Sequence, residues 1–160
     1  MKLIEASPDH LPELMSWFPD QRSCSVWGGP DQRFPFTAAT FREDAKLDEL
    51  PSYSLIGDGG ELLAFGQYYS RSGRCHLARL AAAPRHRGRG LGGVLVRELC
   101  RRGCRGLEVD VCSLFVLDDN APALRLYEKL AFVRAPFPEG APKLEGCSYM
   151  IAPLRAVLAG

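Results

Sequence analysis

A chain of 160 residues that is 46% hydrophobic and 24% charged is long enough to bury its own core and short for two ordinary domains, so one domain over residues 1–160 is expected. The composition excludes disordered and collagen-like chains, and no apolar run approaches the roughly eighteen residues of a membrane helix. The net charge of +1 hides an asymmetry: residues 71–105 hold ten arginines and one acid, whereas the rest holds ten basic and eighteen acidic residues, a pattern that predicts a local anion site rather than a nucleic-acid-binding domain, which is usually basic throughout.

In chain order, residues 2–5 read as a short strand, and Ser7-Pro8 opens a helix to about Phe18, with Ser7 as N-cap and Pro8 in the first turn. The acidic Glu5 interrupts what a secretion signal would keep apolar, so a cytoplasmic protein is expected. Residues 19–36 read as a long aromatic loop punctuated by Trp27-Gly28-Gly29-Pro30 and Phe34-Pro35-Phe36, followed by a helix from Thr37 or Thr40 to about Leu47. Residues 53–56 and 62–69 read as strands joined by the turn signal Gly57-Asp58-Gly59-Gly60, and residues 75–82 as another strand, ended by Pro84. The six cysteines are scattered over the chain and lack zinc-site spacing to His10, His76 or His86, so they are expected to be reduced, buried thiols with no metal.

The segment Pro84-Arg85-His86-Arg87-Gly88-Arg89-Gly90-Leu91-Gly92-Gly93 then runs into a helix with apolar positions at Leu91, Val94, Leu95 and Leu99. Strand, glycine loop and helix make an anion-binding arrangement, because glycines let the backbone approach a ligand and the first helical amides point at it. The loop lacks the Lys-Ser/Thr pair of a P-loop and the acidic ribose reader of a dinucleotide fold. A strand over about 107–116 precedes a second short helix, for which Asn120 is a good N-cap and Pro122 a tolerated first-turn residue. Ala123, Leu126, Tyr127 and Leu130 share one of its faces, which turns Tyr127 inward. The last strand is expected near 146–151.

Arg87-x-x-Gly90-x-Gly92 resembles the acetyl-CoA pyrophosphate loop of the GNAT family, the Gcn5-related N-acetyltransferases, whose pattern is Arg/Gln-x-x-Gly-x-Gly/Ala. Pro84 ahead of Arg87 selects this frame over the overlapping Arg85-x-x-Gly88-x-Gly90. Asn120-Ala121-Pro122-Ala123-Leu124-Arg125-Leu126-Tyr127-Glu128-Lys129-Leu130-Ala131-Phe132 resembles the family's second motif, with Ala131 where glycine is usual. The resemblance implies an α/β GNAT fold: a single mixed, mostly antiparallel sheet whose central strands splay apart, flanked by helices. It also implies that backbone groups of Leu80 and Ala82 hold pantetheine, that the amides from Gly88 to Gly93, including Arg89, Gly90, Leu91 and Gly92, hold the pyrophosphate beside Arg87, and that Asn120 belongs to the cofactor side.

The implied activity is direct attack of a primary amine on acetyl-CoA, with Tyr127 as the acid that protonates the leaving thiolate. His76 is the candidate base, since strand alternation puts it on one face with Leu80 and Ala82; a histidine without chemistry is the competing reading. The acceptor is a small amine or a protein or peptide amine, met by residues 17–36 and 134–149. There Trp27, Phe34, Phe36 and Phe137 line a groove or fill a satellite core, and Asp20, Asp31, Glu139 and Glu145 attract a cation or are merely solvated. No nucleic-acid or membrane partner is expected, and a monomer or homodimer suits the fold. A non-catalytic acyl-CoA-binding module is the alternative function.

Overall fold

A computed structural model describes residues 1–141 and 144–160. Seven strands form one mixed sheet in the order β1-β2-β3-β4-β5-β7-β6: β1 (Lys2–Glu5), β2 (Ser52–Ile56), β3 (Leu62–Arg71), β4 (Arg74–Ala82), β5 (Val111–Leu117), β6 (Val133–Ala135) and β7 (Cys147–Pro153). Pairing is antiparallel for β1 with β2, β2 with β3, β5 with β7 and β6 with β7. β4 and β5 are parallel, and their register runs only from Cys75↔Cys112 to Leu77↔Leu114, although β4 continues to Ala82 and β5 to Leu117. The pairing of the two central strands thus covers only the first part of each. Among the described residues six α-helices flank the sheet: α1 (Leu11–Ser16), α2 (Gln21–Gly28), α3 (Ala38–Asp44), α4 (Leu91–Leu107), α5 (Ala121–Lys129) and α6 (Leu154–Ala159).

The chain divides into two compact units, residues 1–67 with 79–95 and residues 68–78 with 96–160, so β3, β4 and α4 each contribute to both. The core of the first unit joins Leu14, Trp17, Phe18, Cys24, Trp27, Phe41, Ile56 and Phe65. The interior of the second includes Leu77, Leu99, Leu114, Leu130, Phe132, Tyr149 and Met150. Four of its thiols are buried and Cys147 is half-buried: Cys75, Cys100, Cys104 and Cys112 are at most 2% exposed, Cys104 Sγ lies 3.5 Å from Cys112 Sγ, and burial pushes the Cys104 thiol up to about 11. These cysteines are free and act as small apolar fillers.

Caps set the helix starts. Ser7 opens a 3₁₀ turn over Pro8–His10, which leads into α1, and Thr37 caps α3 through a hydrogen bond from Thr40 N to its Oγ1 at 3.1 Å. The expected loop over 19–36 instead contains α2. Asp20 accepts from Ser23 N at 2.7 Å and Ser23 Oγ from Asp20 N at 3.4 Å, a reciprocal capping box. Cys24 and Trp27, three residues apart on one helix face, provide the apolar stripe that docks it. The long helix α4 extends to Leu107, so β5 starts at Val111, later than the sequence pattern placed it.

Candidate active site

In the first unit, the loop before α4 is built by backbone geometry. Ala83 is fully buried and its N–H pairs with Leu63 O at 2.8 Å, which anchors the end of β4. A 3₁₀ turn over Pro84–His86 follows. Gly88 and Gly90 then take φ of +80° and +75°, the left-handed region that costs an L-residue roughly 1–2 kcal/mol and glycine little. No protein atom lies within 4 Å of where a Cβ would stand on either glycine, so the conformation and not crowding requires them. The first bond of α4 runs from Val94 N to Gly90 O at 3.3 Å. The amides of Leu91, Gly92 and Gly93 precede it and have no intrahelical acceptor.

The side chains of the loop point to solvent. Arg87 and Arg89 are exposed, and Arg89 Nη1 donates to His86 Nδ1 at 3.0 Å. Arg85 is held by Glu13 at 2.9 Å. Further along, Arg101 pairs with Glu98 on the exposed side of α4. Helix-start amides behind an exposed glycine turn, with guanidinium groups around it, make a favourable setting for a pyrophosphate.

β4 departs from regular alternation just before Leu80. Arg79 has φ of +50°, its carbonyl accepts the indole N–H of Trp27 at 2.8 Å, and its guanidinium donates to Gln67 Oε1 and Asp44 O, both at 3.1 Å. The kink breaks the two-residue period, so the expected common face of His76 with Leu80 and Ala82 is not formed by alternation. Trp27 is a core residue and not a groove aromatic: its ring centroid lies 4.4 Å from that of Phe18 and 5.2 Å from that of Phe41. Phe34 and Phe36 pack against the same core. Asp20 is spent as the α2 cap, whereas Asp31, Glu139 and Glu145 are exposed.

In the second unit, α5 positions Tyr127. Asn120 Oδ1 accepts from Ala123 N at 3.4 Å, at the long end for a cap, and Pro122 occupies the first turn. The helix ends in a Schellman motif: Phe132 N donates to Tyr127 O at 2.9 Å and Ala131 N to Glu128 O at 3.0 Å. Ala131 supplies the left-handed residue at φ +71°, which explains why glycine is usual there. The motif's hydrophobic contact is Tyr127 on Phe132, with centroids 5.9 Å apart. Tyr127 is 8% exposed, and burial pushes its phenol up to about 12. The group therefore stays protonated throughout the neutral range.

His76 is 2% exposed. Its Nδ1 shares a hydrogen bond of 2.9 Å with Ser113 Oγ, and Tyr69, Phe115 and Tyr149 surround the ring at centroid distances of 5.2, 4.8 and 6.4 Å. Burial first, and then the nearby charge of Arg71, lower its pKa to about 3. An imidazole that resists protonation so strongly is a poor acceptor for an ammonium proton. In these surroundings His76 is a buried imidazole held in its neutral form. Apart from Tyr69, the groups packed on the ring lie more than thirty residues away in the chain and left no signal in the local sequence.

A family model described as the acetyltransferase (GNAT) family matches residues 11–132, well over half of the chain. The chain belongs to the GNAT acetyltransferase family. Solved structures share the fold. The spermidine N-acetyltransferase of Vibrio cholerae, in complex with CoA and spermine, has a TM-score of 0.73 at 15% identity, covering 98% of this chain and 97% of that one. A putative acetyltransferase of Acinetobacter baylyi gives 0.69 at 18% identity, with 95% and 92% covered. The ribosomal-protein-S18-alanine N-acetyltransferase of Escherichia coli gives 0.65 at 22% identity, with 96% and 93% covered. As a GNAT acetyltransferase, the chain is an acyltransferase. No helix among its described residues is long and apolar enough to cross a membrane.

Proposed function

We propose that this GNAT protein transfers the acetyl group of acetyl-CoA to a primary amine by direct attack. The observation that carries this reading is the loop before α4, where Gly88 and Gly90 turn left-handed and the amides of Leu91, Gly92 and Gly93 are left unspent. On this reading the amides from Gly88 to Gly93, with Arg87 and Arg89 beside them, hold the pyrophosphate, and backbone groups of Leu80 and Ala82 pair with pantetheine. The open space over the two glycines fits a phosphate, which any side chain there would obstruct.

Tyr127 serves as the general acid. A phenol raised to about 12 is present as an O–H donor throughout the neutral range, and it donates to the sulfur as charge builds there during collapse of the tetrahedral intermediate, so that the thiolate is stabilised by that hydrogen bond as it leaves. Asn120 supports this role by fixing the start of α5, and Phe132 by holding the ring at the other end. The ammonium proton of the acceptor is assigned to solvent, since His76 is held neutral. The spermidine and ribosomal-protein acetyltransferases that share the fold act on amines of very different size, which suits an amine acceptor without naming one.

A calorimetric titration of the protein with acetyl-CoA, desulfo-CoA and ATP tests the reading. One saturable site for both CoA compounds, with ATP much weaker, is the expected result. A folded protein that binds neither CoA compound at low salt would refute it.

A further inference from the structure

The second unit carries a constellation that acetyl-group chemistry does not use. β3 turns into β4 through Ser72 and Gly73, at φ of +51° and +73°, the two-residue hairpin geometry that sets the flanking residues, Arg71 and Arg74, opposite each other. Like charges in that position repel, and neither guanidinium is paired with a carboxylate among the described residues. Both rest on aromatic rings. Arg71 lies 4.9 Å over the Phe115 ring and Arg74 5.9 Å from the Tyr149 centroid.

Each donates a hydrogen bond to a phenol: Arg71 Nη1 to Tyr69 Oη at 3.3 Å and Arg74 Nη1 to Tyr149 Oη at 3.0 Å. A neutral phenol leaves the positive charge uncompensated, and each guanidinium keeps further N–H groups for an oxygen anion. Beside them Phe115 and Phe137, both half-buried, stack at 5.7 Å and 18° and form an apolar floor. The neutral His76 beneath adds no competing charge, and its ring, 4.8 Å from that of Phe115, supports that floor.

We infer that the acceptor of this enzyme carries a carboxylate as well as its amine, with Arg71 and Arg74 binding the carboxylate and Phe115 and Phe137 packing the apolar part beside it. The inference rests on the amine-acetyltransferase reading above. It separates this chain from polyamine acetylation, because a polycation would meet two unpaired guanidinium groups here.

The test has two arms on the full chain. In the first, 3-phenylpropionate and 3-phenylpropionamide, which contain no amine and cannot be turned over, are titrated while the arginine Nε–Hε resonances are followed by NMR. Saturable shifts at Arg71 and Arg74 with the acid, at least tenfold tighter than with the amide and lost in Arg71→Gln/Arg74→Gln, are expected. Arg71→Lys/Arg74→Lys, which keeps both charges, should retain part of the binding and so separates a lost contact from a lost fold. Equal binding of acid and amide, or no saturable shift at either arginine, overturns the inference.

In the second arm, L-phenylalanine and L-phenylalaninamide are compared as acceptors at saturating acetyl-CoA. The expected kcat/KM is at least tenfold higher for the acid and equal for the two in the double Gln variant, with the KM for acetyl-CoA unchanged. Acetylation of both at equal rates overturns the inference while leaving the transfer reading intact. Carboxylate binding at the arginines with acetylation of neither amine, by protein that binds acetyl-CoA, overturns the acceptor assignment, whereas failure to bind either CoA compound overturns the transfer reading.

Discussion

Ala131 offers the most exposed test of the structural reasoning, because replacing it should stabilise the protein. The residue sits at φ +71° in the turn that ends α5. Its side chain is exposed, so removing the methyl group sacrifices no core packing. An L-residue in the left-handed region costs about 1–2 kcal/mol relative to a relaxed one, and a glycine gives back about 0.4–1 kcal/mol through the greater freedom of its unfolded chain. The net gain for Ala131→Gly is therefore about 0.5–1 kcal/mol, which for a chain of this length raises Tm by roughly 1–4 °C.

Urea unfolding followed by circular dichroism measures that gain directly, with an unchanged m-value showing that the folded and unfolded states stay equally compact. Ala131→Val should do the opposite and by a larger margin, since a β-branched residue tolerates positive φ least. A lower midpoint for Ala131→Gly would refute the Schellman assignment. The bonds from Phe132 N to Tyr127 O and from Ala131 N to Glu128 O would then not describe how α5 ends, and the placement of Tyr127 would lose its support.

Tyr127→Phe should bind acetyl-CoA as the wild type does and slow acetyl transfer about 10²-fold or more, as loss of a general acid does; an unchanged single-turnover rate would remove Tyr127 from the chemistry. For His76, the folded pKa of about 3 lies below the unfolded value of about 6.5, so the unfolded chain binds the proton first and stability falls as pH drops through 6.5 toward 3, by up to about 1.4 kcal/mol per pH unit. Comparing pH-dependent unfolding of the wild type and His76→Gln should show a shallower acid limb in the variant, and an NMR signal assigned to the His76 imidazole that titrates near pH 6.5 in the folded protein would contradict the burial. Gly103→Ala would set a Cβ 2.4 Å from Cys75 Sγ and 3.0 Å from the Tyr68 ring, overpacking α4 against β4 at a cost of about 1–3 kcal/mol; a thermal shift assay in which the variant melts with the wild type would show that this packing has slack.

How far the sequence could be read depended on whether a feature lies within one element or between several. Ser7 and Pro8, the glycine turn before β3 and the Asn120-Pro122 start of α5 act locally, and each sits where its chemistry predicts. α2 also had a local signal, the Asp20–Ser23 capping box, but Gly28, Gly29 and Pro30 just beyond it made the whole stretch look like loop. The kink at Arg79 had none. Its φ of +50° is held by Trp27, Gln67 and Asp44, each at least twelve residues away, and it alone undoes the alternation that had grouped His76 with Leu80 and Ala82. The arginines show the same division. Arg71 and Arg74 were visible as charge, yet a charge run cannot say which members are neutralised. Arg85 meets Glu13 and Arg101 meets Glu98, while Arg71 and Arg74 meet aromatic rings and phenols. Only that contrast separates a solvated basic surface from guanidinium groups kept in place for an anion, and it places the expected selectivity for acids over amides on the short turn between β3 and β4.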